Sequence, residues 1–154
     1  MKAEFRSSPI DAIGAECHTG RFTIGAIGAG LPLAVGAGIA CPDRKIIGLQ
    51  ADGSAMYTVQ ALWTMARESI DTTIIIYANR AYRILQGEMA AVGIANPGPV
   101  ARDMFSIDRP NLNWTSIAKG MGMDGELVES SEDLTSAFQR GLAEQGPYLI
   151  EAVI

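Results

Sequence analysis

Cysteine is scarce in this sequence of 154 residues, which contains only Cys17 and Cys41. Two cysteines form neither a disulfide framework nor the paired spacing of a zinc site. Proteins in a reducing compartment rarely form disulfides, and a small number of cysteines is usual in them. We therefore expect two free thiols and a cytoplasmic location.

Positive charge is also in short supply. The chain has 12 Lys and Arg against 17 Asp and Glu, a net charge of −5, and no basic cluster, so nucleic acid is not an expected partner. A composition of 48% hydrophobic and 19% charged residues is typical of a folded protein and excludes a disordered one. The length suits one domain with a hydrophobic core, and we predict a single domain over residues 1–154.

Charge is absent altogether from residues 22–41, FTIGAIGAGLPLAVGAGIAC, a run about as long as a membrane span. Five of these residues are glycine and Pro32 lies among them, which favours a tightly packed, fully buried helix over a span. The first eleven residues also lack the apolar segment of a signal peptide. No membrane is therefore expected as a partner, with a span kept as the weaker alternative.

The remaining sequence alternates between strand and helix patterns. Strands are predicted near residues 11–16, 45–51, 73–78, 126–129 and 148–153, and helices near 27–40, 57–69, 112–121 and 131–144. Asn111 and Ser130 are the expected N-caps of the last two helices. Residues 86–110 are rich in glycine and proline and are predicted to be a long loop. Continuous apolar strands indicate an α/β class, a doubly wound and mainly parallel sheet with helices on both faces.

A carboxylate stands where a buried strand turns into a helix. Asp52, Gly53 and Ser54 follow the apolar strand and open the next helix, whose free N–H groups favour an anion. An anion beside Asp52 requires a cation between them, which predicts a phosphate and a divalent metal with Asp52 as ligand. Asn79 follows the neighbouring strand and supplies a second oxygen. The alternative is that Asp52 is only a helix N-cap and Asn79 only a turn residue.

The segment ADGSAMYTVQALWTMARESIDTTIIIYANRAYRIL resembles the fingerprint of thiamine-diphosphate-dependent enzymes. That fingerprint runs Gly-Asp-Gly, a spacer, then Asn-Asn, and the 27-residue step from Asp52 to Asn79 matches it. The stretch GAIGAGLPLAVGAGIACPDRKII is similar to the segment that precedes the fingerprint in acetolactate synthases and benzoylformate decarboxylases. NLNWTSIAKGMGM and GPYLIEAVI resemble the end of the same domain, so the likeness covers residues 11 to 154.

The resemblance implies a set of site residues for thiamine diphosphate and Mg²⁺. The metal ligands would be Asp52, Asn79 and the backbone carbonyl of Ala81. The cofactor-binding positions would be Gly25, Ile27, Gly28, Gly53, Ser54 and Tyr82. Among them, Ile27 would wedge under the bent cofactor, and the Gly25 carbonyl would accept a hydrogen bond from its aminopyrimidine.

Three departures from the family pattern qualify this set. Ala51 replaces the first glycine of the fingerprint and Ala78 replaces its first asparagine, and neither position is a metal ligand. The stretch from Glu16 to Gly25 is shorter than in the family, and His18 within it is expected to be a surface residue. The residues after Asn79 also lack the tryptophan-bearing substrate segment of acetohydroxyacid synthases, so branched-chain synthesis is not expected.

The resemblance implies the diphosphate- and Mg²⁺-binding half of a 2-oxo-acid decarboxylase or carboligase. In the family, the glutamate that activates the cofactor lies on a pyrimidine-binding domain, which we expect to be absent here. We therefore predict a pyrimidine-domain partner, a homo-oligomer, and no catalytic residue in this chain. A non-catalytic cofactor-binding module or a truncated gene product is the alternative. A Rossmann dinucleotide site fits poorly, because GAIGAG is not the G-x-G-x-x-G fingerprint.

Overall fold

A parallel sheet of four strands forms the centre of the computed structural model, which describes residues 26–94 and 96–154. The strands are β1 (Ile46–Ala51), β2 (Thr72–Ala78), β3 (Asp124–Val128) and β4 (Tyr148–Val153), in the order β1-β2-β4-β3. The β-branched residues of β2 suit a strand that is buried on both faces. Four of the five predicted strands are therefore confirmed, and the strand predicted at 11–16 lies outside the described residues.

Seven α-helices lie in the described part of the chain. They are α1 (Gly30–Ala40), α2 (Asp52–Ala55), α3 (Ala61–Arg67), α4 (Arg83–Ala91), α5 (Pro99–Asp103), α6 (Trp114–Gly120) and α7 (Ser131–Ala143), with a 3₁₀ turn at Met56–Thr58.

Side chains of alternate strand residues pack into two separate cores. On one face of the sheet, Ile74 and Ile76 pack with residues of α1, α3 and α6, among them Trp114. On the other face, Ile75 packs with Ile150 and residues of α7. Helices thus cover both faces, which confirms the doubly wound α/β class.

The expectation that the glycine-rich helix is fully buried is wrong in the described structure. Leu31, Ala34 and Gly38 of α1 are buried, whereas Leu33 and Ile39 on the same helix are exposed. A helix that lies on a sheet buries a single stripe of side chains. None of the helices in the described ranges has the length and apolar character of a membrane span.

The expectation of a long loop over residues 86–110 is also wrong, because α4 and α5 occupy much of it. The segment RILQGEMAA consists mostly of strong helix formers, and these outweigh the single Gly87. Pro99 is the first residue of α5, where a missing N–H breaks no helical hydrogen bond.

One of the two predicted helix N-caps is confirmed, and the other lies two residues away from its predicted position. Ser130 caps α7, and its Oγ accepts the N–H of Asp133 at 3.1 Å. The cap of α6 is Asn113 and not Asn111, since the Asn113 side chain accepts the N–H of Ser116. Asn111 instead pairs with Asp108 in an isolated antiparallel bridge.

The prediction of free thiols fails at Cys41, which follows α1 and is disulfide-bonded. The other cysteine, Cys17, lies outside the described residues. A low cysteine count excludes a disulfide framework, but it does not exclude a single bridge.

Candidate cofactor and metal site

Asp52 joins the carboxyl ends of two neighbouring strands. Its side chain is 2% exposed. Its Oδ1 accepts the N–H of Gly53 at 2.8 Å, and its Oδ2 accepts the N–H of Arg80 at 2.7 Å, beyond the end of β2. The N-cap of α2 is Ala51, without a side-chain cap, so Asp52 is not merely a helix cap.

Burial raises the pKa of the Asp52 carboxyl. The N–H groups of Arg80 and Gly53 and the charge of the Arg80 guanidinium act in the opposite direction, because they stabilise the carboxylate. Each carboxylate oxygen has more than one lone pair, so the two backbone hydrogen bonds leave room for a cation. The site therefore contains a preoriented carboxylate that a metal ion would stabilise further.

The loop after β2 presents two more oxygen atoms. Asn79 Oδ1 accepts the N–H of Ala81 at 3.0 Å, as in an ordinary Asx turn, and retains capacity for another partner. Arg80 between them has a φ of +57°, which turns the chain back toward Asp52. The backbone hydrogen bonds of this loop to residues 105–107 involve Arg80 and Tyr82, so they leave the Ala81 carbonyl free for a further contact.

This donor set fits a hard divalent cation. Among the described residues there is no group of three or more His, Cys, Asp or Glu side chains that could hold a metal by themselves. Proteins often bind Mg²⁺ through one or two carboxylates together with the phosphate oxygens of a bound ligand. One carboxylate, one amide oxygen and one backbone carbonyl would suit a site of this kind. The structure thus brings the predicted residues Asp52, Asn79 and Ala81 to one place.

Gly53, Ser54 and Gly28 form a second cluster at the start of the helical segment. Ser54 Oγ accepts the N–H of Gly28 at 3.0 Å and the side-chain N–H of Gln50 at 2.6 Å, which leaves its hydroxyl hydrogen available to a ligand. A Cβ on Gly53 would lie 2.7 Å from a ring carbon of Tyr82. Glycine at this position therefore allows the Tyr82 ring to lie against the helix start.

Ile27 precedes Gly28 and is 50% exposed, outside α1. Gly28 has a φ of +85°, and its carbonyl accepts the Thr58 hydroxyl at 2.7 Å. Ile27 therefore lies next to the cluster of Gly28, Gly53 and Ser54, and about half of its surface is exposed to solvent. Gly25, the remaining predicted position, lies outside the described residues.

Three further residues contact the site residues but were not predicted from the sequence: Gln50, Thr58 and Arg80. Gln50 donates to Ser54, Thr58 donates to Gly28, and the Arg80 N–H donates to Asp52. A polar residue inside the otherwise apolar strand IIGLQA was a usable signal for Gln50. The contributions of Thr58 and Arg80 depend on loop geometry that the sequence pattern does not reveal.

Comparison with known families supports the resemblance stated above. The sequence model described as "Thiamine pyrophosphate enzyme, C-terminal TPP binding domain" matches residues 12–152, where thiamine pyrophosphate is another name for thiamine diphosphate.

Two curated relatives and one solved structure are informative. A proposed acetolactate synthase large subunit of Mycobacterium tuberculosis, IlvX, is 47% identical over 86% of this chain and 26% of its own length. Benzoylformate decarboxylase of Pseudomonas aeruginosa is 36% identical over 82% of this chain and 23% of its length. The structure of a thiamine diphosphate-dependent 4-hydroxybenzoylformate decarboxylase from Rhodococcus jostii aligns with a TM-score of 0.76 and 38% identity, over 87% of this chain and 25% of that one. The chain thus spans about a quarter of the length of each.

Proposed function

Because the chain belongs to the thiamine pyrophosphate enzymes, matching their C-terminal cofactor-binding domain, we propose that it binds the diphosphate of thiamine diphosphate through Mg²⁺. We assign it as the diphosphate-binding half of an acetolactate-synthase-like 2-oxo-acid decarboxylase or carboligase. The observation that carries the proposal is the buried Asp52 carboxylate, which is hydrogen-bonded to the loop that holds Asn79 and Ala81.

In this proposal Asp52, Asn79 and the Ala81 carbonyl hold the metal ion. The diphosphate and water would supply the remaining oxygen ligands that Mg²⁺ prefers. The Ser54 hydroxyl and the N–H groups at the start of α2 orient the diphosphate. Gly28 positions Ser54, and Tyr82 closes the site from the side of Gly53.

The remaining residues act on the ring end of the cofactor. The half-exposed Ile27 would press against the cofactor and hold its two rings in the bent arrangement, with Gly25 as the acceptor for the aminopyrimidine. When bound, the thiazolium ring supplies an electron sink for the loss of CO₂ from a 2-oxo acid. Benzoylformate and 4-hydroxybenzoylformate, which appear in the names of one curated relative and one solved structure, belong to this substrate class.

A partner that carries the pyrimidine-binding domain is part of the proposal, as is a homo-oligomer. Several apolar side chains are exposed around the site, among them Ile27, Tyr57, Ile84 and Leu85. Exposed apolar surface of this kind is typical of a protein interface. The chain's match to about a quarter of each relative also leaves room for a second cofactor-binding domain elsewhere.

A cofactor-binding module without catalysis is the second candidate. Its support comes from Ala51 and Ala78, which replace a glycine and an asparagine of the family fingerprint. Turnover after addition of a pyrimidine-domain partner would distinguish the two, because both candidates predict binding of the cofactor.

A cytoplasmic location also stays a proposal. It is supported by the small number of cysteines, although the disulfide at Cys41 argues in the opposite direction. Mass spectrometry of the alkylated protein from freshly lysed cells would show whether the bridge exists in vivo.

Calorimetric titration with thiamine diphosphate tests the proposed site. We expect heat of binding with MgCl₂ and none with a chelator. Asp52→Asn, which retains a hydrogen-bond acceptor, should weaken this binding by at least about tenfold, the loss that even an outer-shell partner causes. The matched control is Asp71→Asn, because Asp71 precedes β2 at the opposite end of the sheet and pairs with Lys45. Equal affinity in Asp52→Asn and the wild type would contradict the assignment.

A further inference from the structure

Glu151 is a buried carboxylate that the proposed function does not use. It lies on β4, between Ile150 and Ala152, and its side chain is 2% exposed. Burial raises the pKa of Glu151, while the N–H groups of Thr115 and Trp114 lower it. The charges of Arg80 and Asp52 also influence this pKa, which places Glu151 within electrostatic range of residues 79–82, the loop after β2, called the metal loop from here on. A charged group in such a place requires a structural or functional reason.

The hydrogen bonds of Glu151 account for the beginning of α6. Its Oε2 accepts the N–H of Trp114 at 2.9 Å and that of Thr115 at 3.3 Å. Asn113 accepts the third N–H, from Ser116. The first three N–H groups of the helix, which have no partner inside a helix, are therefore all satisfied, two of them by a residue of the sheet.

The segment that precedes α6 is hydrogen-bonded to the metal loop. The Tyr82 N–H donates to the Phe105 carbonyl at 2.8 Å, and the Ile107 N–H donates to the Arg80 carbonyl at 3.0 Å. Residues 105–113, called the strap from here on, thus lie along residues 80–82 at one end. At the other end the strap leads directly into the N–H groups held by Glu151.

We propose that Glu151 is a positioning residue for the metal loop, acting through the strap. It fixes the end of the strap at α6, and the strap in turn holds residues 80–82 against Asp52. The carboxylate touches no predicted metal ligand, so its contribution is indirect. The connection to metal binding rests on the proposed function, whereas the connection to the loop does not.

Amide hydrogen exchange measured by NMR on the chain without ligand tests the proposal. The reporters are the N–H groups of Arg80, Ala81 and Tyr82, each of which has an acceptor in the structure. Glu151→Ala leaves two N–H groups of α6 unpaired, so exchange of the three reporters should rise by about tenfold. Glu151→Gln, which keeps an acceptor at the same place, should remain near the wild type.

The control variant is Ser130→Ala. It removes the N-cap of α7, on the opposite face of the sheet, and should raise exchange in α7 without affecting the three reporters. If Glu151→Ala does not fold, Glu151→Asp retains the charge and withdraws the oxygens by one methylene, with the same expected rise. Faster exchange confined to α6, with residues 80–82 unchanged, would overturn the proposal, because Glu151 would then be only a helix cap.

Titration of the same variants with thiamine diphosphate and MgCl₂ separates this inference from the proposed function. Affinity should fall by about tenfold in Glu151→Ala and stay unchanged in Ser130→Ala. A wild type that binds no cofactor would refute the proposed function, yet the exchange rates of residues 80–82 would still decide the role of Glu151. A wild type that binds, with equal affinity in Glu151→Ala, would refute the link between the strap and the metal site.

Discussion

Asp52 accepts hydrogen bonds from its neighbour Gly53 and from Arg80, which lies 28 residues after Asp52 in the chain. The sequence was sufficient to predict that Asp52 and Asn79 are close, because the carboxyl ends of adjacent parallel strands meet at one edge of a sheet. It was not sufficient to predict the Arg80 N–H as the partner of Asp52. That contact requires a left-handed backbone at a residue that is not glycine, and neither pattern nor propensity indicates such a conformation.

Gly53→Ala tests whether close approach of the Tyr82 ring requires a glycine. The added methyl group would lie 2.7 Å from the ring, so the ring or the helix start must shift. We expect a loss of about 1 to 3 kcal/mol in the free energy of unfolding and weaker cofactor binding. Urea denaturation and calorimetry measure the two effects.

The control for this substitution is Gly36→Ala within α1. A Cβ at Gly36 meets no atom within 4 Å, so alanine should stabilise the helix by up to about 1 kcal/mol. The same chemical change is thus expected to have opposite signs at the two positions. Unchanged stability in Gly53→Ala would mean that Tyr82 moves aside freely and does not close the site.

Ile27→Ala tests the proposed support of the bent cofactor. Because Ile27 is half-exposed and lies outside α1, its truncation should cost less than about 1 kcal/mol of stability. In an assembled enzyme, turnover should fall more than cofactor affinity does, since the diphosphate contacts are untouched. A lower melting temperature that accounts for the whole loss of turnover would instead identify Ile27 as an ordinary packing residue.

At the level of elements, β1, β2 and β4 were predictable because each is a short, nearly continuous apolar run. α7 could be located from Ser130 and the acidic residues that follow it. α4 could not, because its residues are all at least partly exposed and it has no apolar face toward the core. Its glycine, and the glycines and prolines that follow, suggested a loop, and only the summed helix propensity of its nine residues argued otherwise.

An ion pair joins β3 to α7 and gives a prediction about pH. Arg140 donates to both oxygens of Glu126, and the Tyr148 hydroxyl donates to Glu126 Oε1 at 2.8 Å. These contacts, with Arg140 first, lower the pKa of Glu126 below its ordinary value of 4.5. Because the pKa of Glu126 is lower in the folded protein, its carboxylate stabilises the fold at pH values above its ordinary pKa. This contribution disappears as the pH falls through the pKa that Glu126 has in the folded protein.

Glu126→Gln should therefore be less stable than the wild type at neutral pH, and the two should converge below pH 4.5. Because Arg140 is largely exposed and Glu126 is partly exposed, the difference should be small and should shrink at high salt. Urea denaturation across this pH range measures it, with Glu129→Gln as the control in the exposed turn after β3. If the difference in stability persists unchanged at low pH, it is caused by the changed packing of the side chain and not by the charge of Glu126.

On the scale of the whole molecule, large apolar side chains are exposed on the two helices that follow the loop after β2. Ile84 and Leu85 of α4 are exposed, as are Val100 within α5 and Met104 directly after it. Helices with exposed apolar residues beside a binding site are typical of surfaces that a second protein covers. The two helices that were mistaken for a loop are thus a candidate for the surface on which the proposed partner domain binds.

The last prediction concerns catalysis by the chain alone. In the proposed function, the site residues of the described chain would hold a metal ion and a diphosphate, whereas activation of the cofactor ring in this family is expected from a glutamate of the pyrimidine-binding domain. The purified 154-residue chain should therefore show no decarboxylation of pyruvate or benzoylformate with thiamine diphosphate and MgCl₂. Addition of a pyrimidine-binding domain from the same organism should produce CO₂, measured by a coupled assay, and Asp52→Asn in the mixture should abolish it. Turnover by the chain in the absence of any partner would contradict the assignment of a half-site.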